Sequence, residues 1–197
     1  MNSDRFLKQI NFILEIDNIK SIFRNNYIKD GSRKENDAEH SWHLAMMVMV
    51  LSEYFDELDV SKTLKMVLAH DLVELYAGDV YAYDEKGNIG KFDREKESAE
   101  KLFSLLPEDQ KKEFIDLWLE FEEANTKEAV CGSIVDRFQP LLLNYSSQGK
   151  SWKEHEISKD KVLKRNKIVF EEGPEEIGEY IKSIIEDAAH KGYLKNL

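Results

Sequence analysis

Apolar residues recur along this chain at spacings of three and four, and no stretch alternates strictly over the length of a strand between turn signals. The pattern predicts helices throughout and an all-α fold. Asp4 is placed to cap a first helix that carries Phe6, Ile10, Ile13, Leu14 and Ile16 near its apolar face. A short second helical segment holds Ile19, Ile22, Phe23 and Tyr27. Lys20 and Arg24 lie four apart on it and share a face, which from this segment alone reads as two solvated cations rather than a site. The following KDGSRKEND, residues 29–37, reads as a loop built on Asp-Gly-Ser turn chemistry.

Asp37 reads as the N-cap of the next helix, with His40 at its N3 position and His43 three residues on. Met46 to Leu51 is apolar all round, which predicts a helix running through the core rather than along the surface. A short loop then leads to a helix capped by Ser61 that buries Leu64, Val67, Leu68 and Leu72, so the two helices should be antiparallel neighbours. Gly78 is its natural stop. Residues 80–92 read as a loop whose Tyr81 and Tyr83 either line a pocket or anchor the loop. Asp93 caps a helix with Ala99, Leu102, Phe103 and Leu106, and Pro107 opens another with Phe114, Leu117, Trp118 and Phe121. These two are assigned structural work, with their Glu and Lys residues as a solvated face. Thr126 starts a helix through Ala129, Val130, Ile134, Val135, Phe138, Leu141 and Leu142, and helices over about 158–170 and 174–192 complete the chain. No repeat or low-complexity linker interrupts it, so one domain over 1–197 is expected, its core at about 10–170 with the 174–192 helix packed on it.

The chemistry concentrates in MVLAHDLVELYAGD, residues 66–79. An adjacent His70-Asp71 pair among Leu, Ala and Val is costly to bury unless something binds there, and a divalent metal is the natural ligand. His70 and Glu74 are i and i+4 on one face, and Asp71 lies about 100° round. Asp79 sits just past the helix end. Two further ligands are sought elsewhere. His40 starts a buried helix beside Glu39. Asp136 sits inside an apolar helix and needs a partner, which is Arg137, another cation or the metal. His43, His155 and His190 are too scattered to form a second metal set, and Cys131, among apolar neighbours, is a poor nucleophile.

Composition narrows the partners. With 28 basic and 39 acidic residues in 197, the net charge is -11, which argues against a nucleic-acid duplex or an anionic membrane surface. A small phosphate ester remains compatible, because a metal and one or two Arg can make a local positive pocket. The longest apolar run, Leu44 to Leu51, is too short to span a bilayer. One cysteine and no signal peptide at the N-terminus point to a reducing cytoplasm.

The ordered set AEHS with His40, then His70-Asp71 with Glu74 and Gly78-Asp79, then Asp136, resembles the HD-domain superfamily of metal-dependent phosphohydrolases. More narrowly, GSRKENDAEHSWHLA, HDLVELYAGDVYAYDE and VDRFQPLLLNY are similar to the branch containing bacterial 5′-deoxynucleotidases and their relatives, across about residues 10–170. The resemblance implies that His40, His70, Asp71 and Asp136 hold one divalent ion (Mn, Co, Fe, Zn or Mg), that Glu74 is the catalytic carboxylate and Asp79 a second acid near the attacked phosphorus. It implies that Arg24 holds the substrate phosphate and that Arg33 is a basic residue beside the site. Those enzymes carry Trp directly after the first Arg, where it helps exclude a ribose 2′-hydroxyl. This chain has Asn25 there, so the resemblance leaves the sugar open, and the loop from Tyr81 to Asn88 leaves the base open. The expected activity is release of phosphate from nucleoside 5′-monophosphates by attack of a metal-activated water. A diesterase or signalling-nucleotide hydrolase, and a non-catalytic nucleotide-binding module, are the rival readings. A homo-oligomer is expected, a dimer in preference, because relatives are often dimeric and the amphipathic terminal helices could pair.

Overall fold

The computed structural model describes residues 4–195. Helix α1 (Asp4–Glu15) leads through a 3-10 turn (Ile16–Ser21) into a hairpin of β1 (Phe23–Tyr27) and β2 (Lys34–Asn36). The rest is helical: α2 (Asp37–Leu51), α3 (Val60–Ala69), a 3-10 turn (His70–Val73), α4 (Glu74–Ala77), α5 (Lys91–Phe103), α6 (Glu108–Glu123), α7 (Lys127–Ser146), α8 (Lys150–Glu154), α9 (Lys159–Arg165), α10 (Lys167–Glu172) and α11 (Glu175–His190). The fold is the all-helical one expected from the sequence, with one small two-stranded sheet added.

That sheet corrects the helical reading of residues 22–27. The strands pair antiparallel, with Phe23 opposite Asn36 and Tyr27 opposite Lys34. Ile28 N–H donates to the Arg33 carbonyl at 3.0 Å and Asp37 N–H to the Ile22 carbonyl at 3.1 Å, so the segment's backbone groups are satisfied across the turn rather than along a helix. The Asp-Gly-Ser stretch is the turn of this hairpin: Asp30 Oδ1 accepts from Ser32 N–H at 2.9 Å. Asn25 and Asn26 are weak helix formers and a turn follows them, which is the signal that the hydrophobic spacing concealed.

Helices α2, α3 and α7 pack against one another at the centre. Leu44, Val48, Val67, Ile134 and Val135 are fully buried between them, continuous with Trp152, Val162, Ile181 and Ile185 of the C-terminal helices. A second cluster of Phe12, Val73, Leu102, Phe103 and Trp118 ties α1, α5 and α6 to the 3-10 turn at His70–Val73. Ser98 Oγ donates to the Val73 carbonyl and pins that turn to α5.

Several local readings shift. Asn36, not Asp37, caps α2, in a capping box closed by Glu39, so Asp37 becomes the first helical residue and is wholly buried. Asp59 caps α3 in place of Ser61, and α5 begins at Lys91, before Asp93. The helices expected to start at Thr126 and at about 158 do so, and Thr126 and Ser158 are their N-caps. The 158–170 helix divides at Asn166 into α9 and α10. Met46, Met49 and Val50 are exposed along with Trp42, so α2 crosses the core with one face and leaves an apolar face open. Leu68 is exposed as well.

Candidate metal centre

The centre forms where the end of α3, the start of α2, the middle of α7 and strand β1 meet. At Ala69 the α-helix tightens into the 3-10 turn of His70, Asp71, Leu72 and Val73. Three residues per turn places Asp71 and Glu74 on one side. Gly78 then takes φ +78°, a conformation a side chain rarely adopts, and the chain turns so that Asp79 lines the same cavity. This cavity of about 280 Å³ is also lined by Arg24, Asn25, His70, Asp71, Glu74 and Asp136.

Both imidazoles are held by their outer nitrogens. His70 Nδ1 lies 2.9 Å from the Val67 carbonyl, which can only accept, so Nδ1 carries the proton. His40 Nδ1 lies 3.1 Å from Gln139 Oε1, while Gln139 Nε2 donates to Glu35 Oε1 at 2.6 Å. The inner nitrogens therefore face the carboxylates. His40 Nε2 lies 3.2 Å from Asp136 Oδ1 and 3.7 Å from Asp71 Oδ2; His70 Nε2 lies 3.0 Å from Asp71 Oδ1 and 3.9 Å from Asp136 Oδ1. His70 Nε2 is buried with no hydrogen-bond partner. Imidazole lone pairs turned on carboxylate oxygens in a buried site need a cation between them, and hydrogen-bonded outer nitrogens are the usual support of metal-bound histidines. His40, His70 and Asp71 each offer a ligand atom, all within 4.8 Å of one another, and could hold a divalent ion. The residues present fit the group.

The electrostatics follow from this crowding. Burial and Arg24 oppose a charge on His40, but Asp136, Glu35 and Asp71 outweigh them and push its pKa up to about 9. Burial opposes ionisation of Asp71 and Asp136, yet the neighbouring His70 and Arg24 for the first, and His40 and Arg165 for the second, hold both below the usual carboxylate range. Burial, then the Asp71 charge, raises Glu74 well above it. Asp79 is raised too, chiefly by burial.

The structure thus brings His40, His70, Asp71, Asp136, Glu74, Asp79 and Arg24 together. Arg33 is not brought in: its guanidinium is spent on Glu39, at 2.8 and 2.6 Å, outside the cavity. Arg137 turns to the Ser133 carbonyl, and Arg165 pairs with Asp136 at 3.4 Å instead. Tyr81 and Tyr83 line the cavity and also pack against the main core, so both readings of their loop hold. Lys91, Glu95 and Glu122 line it as well, correcting the view of α5 and α6 as purely structural. Lys91 lies 3.1 Å from Glu95 and 3.7 Å from Glu74. The sequence reading also missed Asp37, hidden as an apparent cap, and Gln139, whose only signal was its place one turn after Asp136.

The HD domain family model matches residues 16–178. The 5′-deoxynucleotidase HDDC2 of Homo sapiens is 28% identical over 134 residues, covering 68% of this chain and 65% of that protein. Its counterpart in Dictyostelium discoideum is 31% identical over 134 residues, 64% of this chain and 70% of that protein. The match thus spans slightly under two thirds of the human relative. A crystal structure from Magnetospirillum magnetotacticum MS-1, described as a predicted metal-dependent phosphohydrolase, superposes with a TM-score of 0.90 at 40% identity, covering 98% of this chain and 96% of that one.

Proposed function

The chain belongs to the HD domain family, and on that premise we propose that it is a metal-dependent phosphomonoesterase releasing phosphate from nucleoside 5′-monophosphates. The observation that carries this reading is the pair of imidazoles anchored by their outer nitrogens, with inner nitrogens turned on the Asp71 and Asp136 carboxylates beside the buried Glu74. The activity named for the curated relatives supports the choice of substrate.

In this reading His40, His70, Asp71 and Asp136 would hold one divalent ion, and two imidazoles with two carboxylates suit Mn, Co, Fe, Zn or Mg. When bound, such an ion supplies a Lewis acid for the phosphoryl oxygen and a means of making water nucleophilic near neutral pH. Glu74, on the cavity wall beside Asp71, accepts the proton of the attacking water. As the water oxygen bonds to phosphorus and the bond from phosphorus to the 5′-oxygen breaks, Asp79 returns a proton to the leaving alkoxide. Arg24 Nε is buried without an acceptor and is the donor assigned to a phosphate oxygen. Asn25, held through Oδ1 by Lys34 Nζ at 3.0 Å, faces the sugar. Arg33 has no part in this account.

The small cavity favours a mononucleotide over a larger diester. Among the described residues no helix is long and apolar enough to cross a membrane. A reducing, cytoplasmic setting and a homodimer complete the proposal, the latter supported by the exposed apolar face of α2. The test is phosphate release from a panel of ribo- and deoxyribonucleoside 5′-monophosphates by metal-stripped protein reloaded with Mn, Co, Zn or Mg. Release only with metal is expected. Silence with every metal and every monophosphate, while cyclic or diester substrates are cut, would overturn the reading.

A further inference from the structure

Four Arg and Lys side chains line the cavity, and two of them are fully engaged: Arg24 lies 2.6 Å from Asp71 and 3.2 Å from Asp37, and Lys91 lies 3.1 Å from Glu95. The other two, Arg137 of α7 and Arg165 of α9, are not. Asp136 divides them from Arg24: its Oδ1 lies 4.0 Å from Arg24 Nη2 and its Oδ2 lies 3.4 Å from Arg165 Nη2. Arg137 donates to the Ser133 carbonyl at 2.7 Å and, among the described residues, pairs with no carboxylate. Of the charges that reach Arg137, that of Arg165 acts most strongly, ahead of Asp136 and Glu122. Two guanidinium groups thus share one wall with a single contact to a carboxylate, and like charges so placed need an anion. The same wall carries unsatisfied acceptors. Asn144 lies seven residues after Arg137 on the same face of α7, and Asn166 follows Arg165 directly. Both line the cavity, at 3% and 2% exposure, and the Oδ1 of each is buried with no hydrogen-bond partner. Their amide nitrogens are already used, on Asn26 and Pro140 and on Val162. Cations without anions beside acceptors without donors call for a ligand that brings both a dense negative charge and hydroxyl or amine donors.

We infer that Arg137 and Arg165 form a second anion subsite, that it takes a phosphate carried on the alcohol part of the substrate, and that the preferred substrates are nucleoside 3′,5′-bisphosphates. The inference rests on the phosphomonoesterase reading given above and names its substrate class. A phosphate dianion suits two planar, permanently charged forks, each able to donate two parallel hydrogen bonds. The scissile 5′-phosphate belongs on the other side of Asp136, where Arg24 lies 3.9 Å from Glu74 and feels the charge of Asp79. The ribose then bridges the two sides, and the amide oxygens of Asn144 and Asn166 accept from hydroxyl or amine groups of the nucleoside. Water bonds to the 5′-phosphorus and the bond to the 5′-oxygen breaks. The products are inorganic phosphate and a nucleoside 3′-monophosphate whose 5′-oxygen has regained a proton. The 3′-ester is held by the arginine pair, away from Glu74, and is left intact.

The experiment compares adenosine, guanosine, cytidine and uridine 3′,5′-bisphosphates with the matching 5′-monophosphates on the full-length protein loaded with Mn²⁺. For at least one base the bisphosphate should show a kcat/KM about 10–100-fold higher, with only the 5′-phosphate released. Arg137→Gln should collapse that ratio toward one, and Arg137→Lys should keep part of it. If Arg137→Gln does not fold, Arg165→Gln carries the same comparison. A wild type with no preference overturns the inference. So does a preference that survives the loss of the guanidinium, since equal losses on both substrates would put the pair on the scissile phosphate. Calorimetric titration of the loaded protein with the four nucleoside 3′-monophosphates gives a readout that needs no turnover. The wild type should bind at least one of them roughly 10-fold or more tightly than the variant, and equal affinity or no binding overturns the inference. Silence of the wild type toward every substrate would reject the phosphomonoesterase reading, while the titration still decides the subsite.

Discussion

His70 Nδ1 donates to the carbonyl of Val67, three residues back, at 2.9 Å. This bond decides the tautomer, and with it the direction of the Nε2 lone pair toward Asp71 and Asp136. His40 is held on its outer nitrogen by Gln139 Oε1 at 3.1 Å, and the carboxylates facing its inner nitrogen push its pKa up to about 9, so a bound cation there would take the place of a proton.

Gln139 is therefore expected to matter without touching the metal. Gln139→Ala should weaken metal binding by about 10–100-fold, measured by competition against a chelator, with the helical fold retained. An affinity equal to wild type would mean that His40 is oriented by packing alone.

Glu74→Ala should lower turnover by roughly 10²–10⁴-fold while bound metal at the His40, His70, Asp71 and Asp136 centre stays near the wild-type value. Loss of metal together with activity would make Glu74 a ligand and reject its role as the base. His70→Ala and Asp71→Ala should instead lose metal and activity together.

Asn25 lines the cavity, at the position where the resemblance places a sugar-excluding Trp. The wild type should accept ribonucleoside monophosphates, and Asn25→Trp should depress their kcat/KM relative to the deoxy substrates by roughly 10-fold or more. An unchanged ratio would remove Asn25 from sugar choice.

Trp42, Met46, Met49 and Val50 expose one apolar face of α2. Burying that face between two copies is the expected outcome, giving a mass by light scattering of twice 23.0 kDa. Met49→Glu should shift the population toward monomer, because a charge is costly in a desolvated apolar contact. A wild type that runs as a monomer at all concentrations would reject the dimer.

Cys131 is fully buried, and burial, then the Glu128 charge, pushes its thiol up to about 12. A thiol reagent at pH 8 should find no reactive cysteine in the native protein and one after denaturation. Rapid labelling of native protein would show that α7 opens locally.

The sequence by itself determined the helical class and most helices, because three-and-four spacing reports which face each helix buries regardless of what lies against it. It also pointed to residues that the fold brings together: His40, His70, Asp71 and Asp136. A His-Asp pair among Leu, Ala and Val, and an Asp inside an apolar helix, are costly enough to mark themselves without coordinates. What only the tertiary structure decided are relationships between distant segments. The hairpin at Phe23–Asn36 exists because its backbone groups pair across the turn, which periodicity does not report. Asp37 looked like a cap until Asn36 took that place and left it buried against Arg24. Arg24 and Arg33 were equivalent as basic residues, and the pairing of Arg33 with Glu39 separated them. The open face of α2 was hidden by composition, since an apolar run states that a surface is hydrophobic and not whether anything in the same chain covers it.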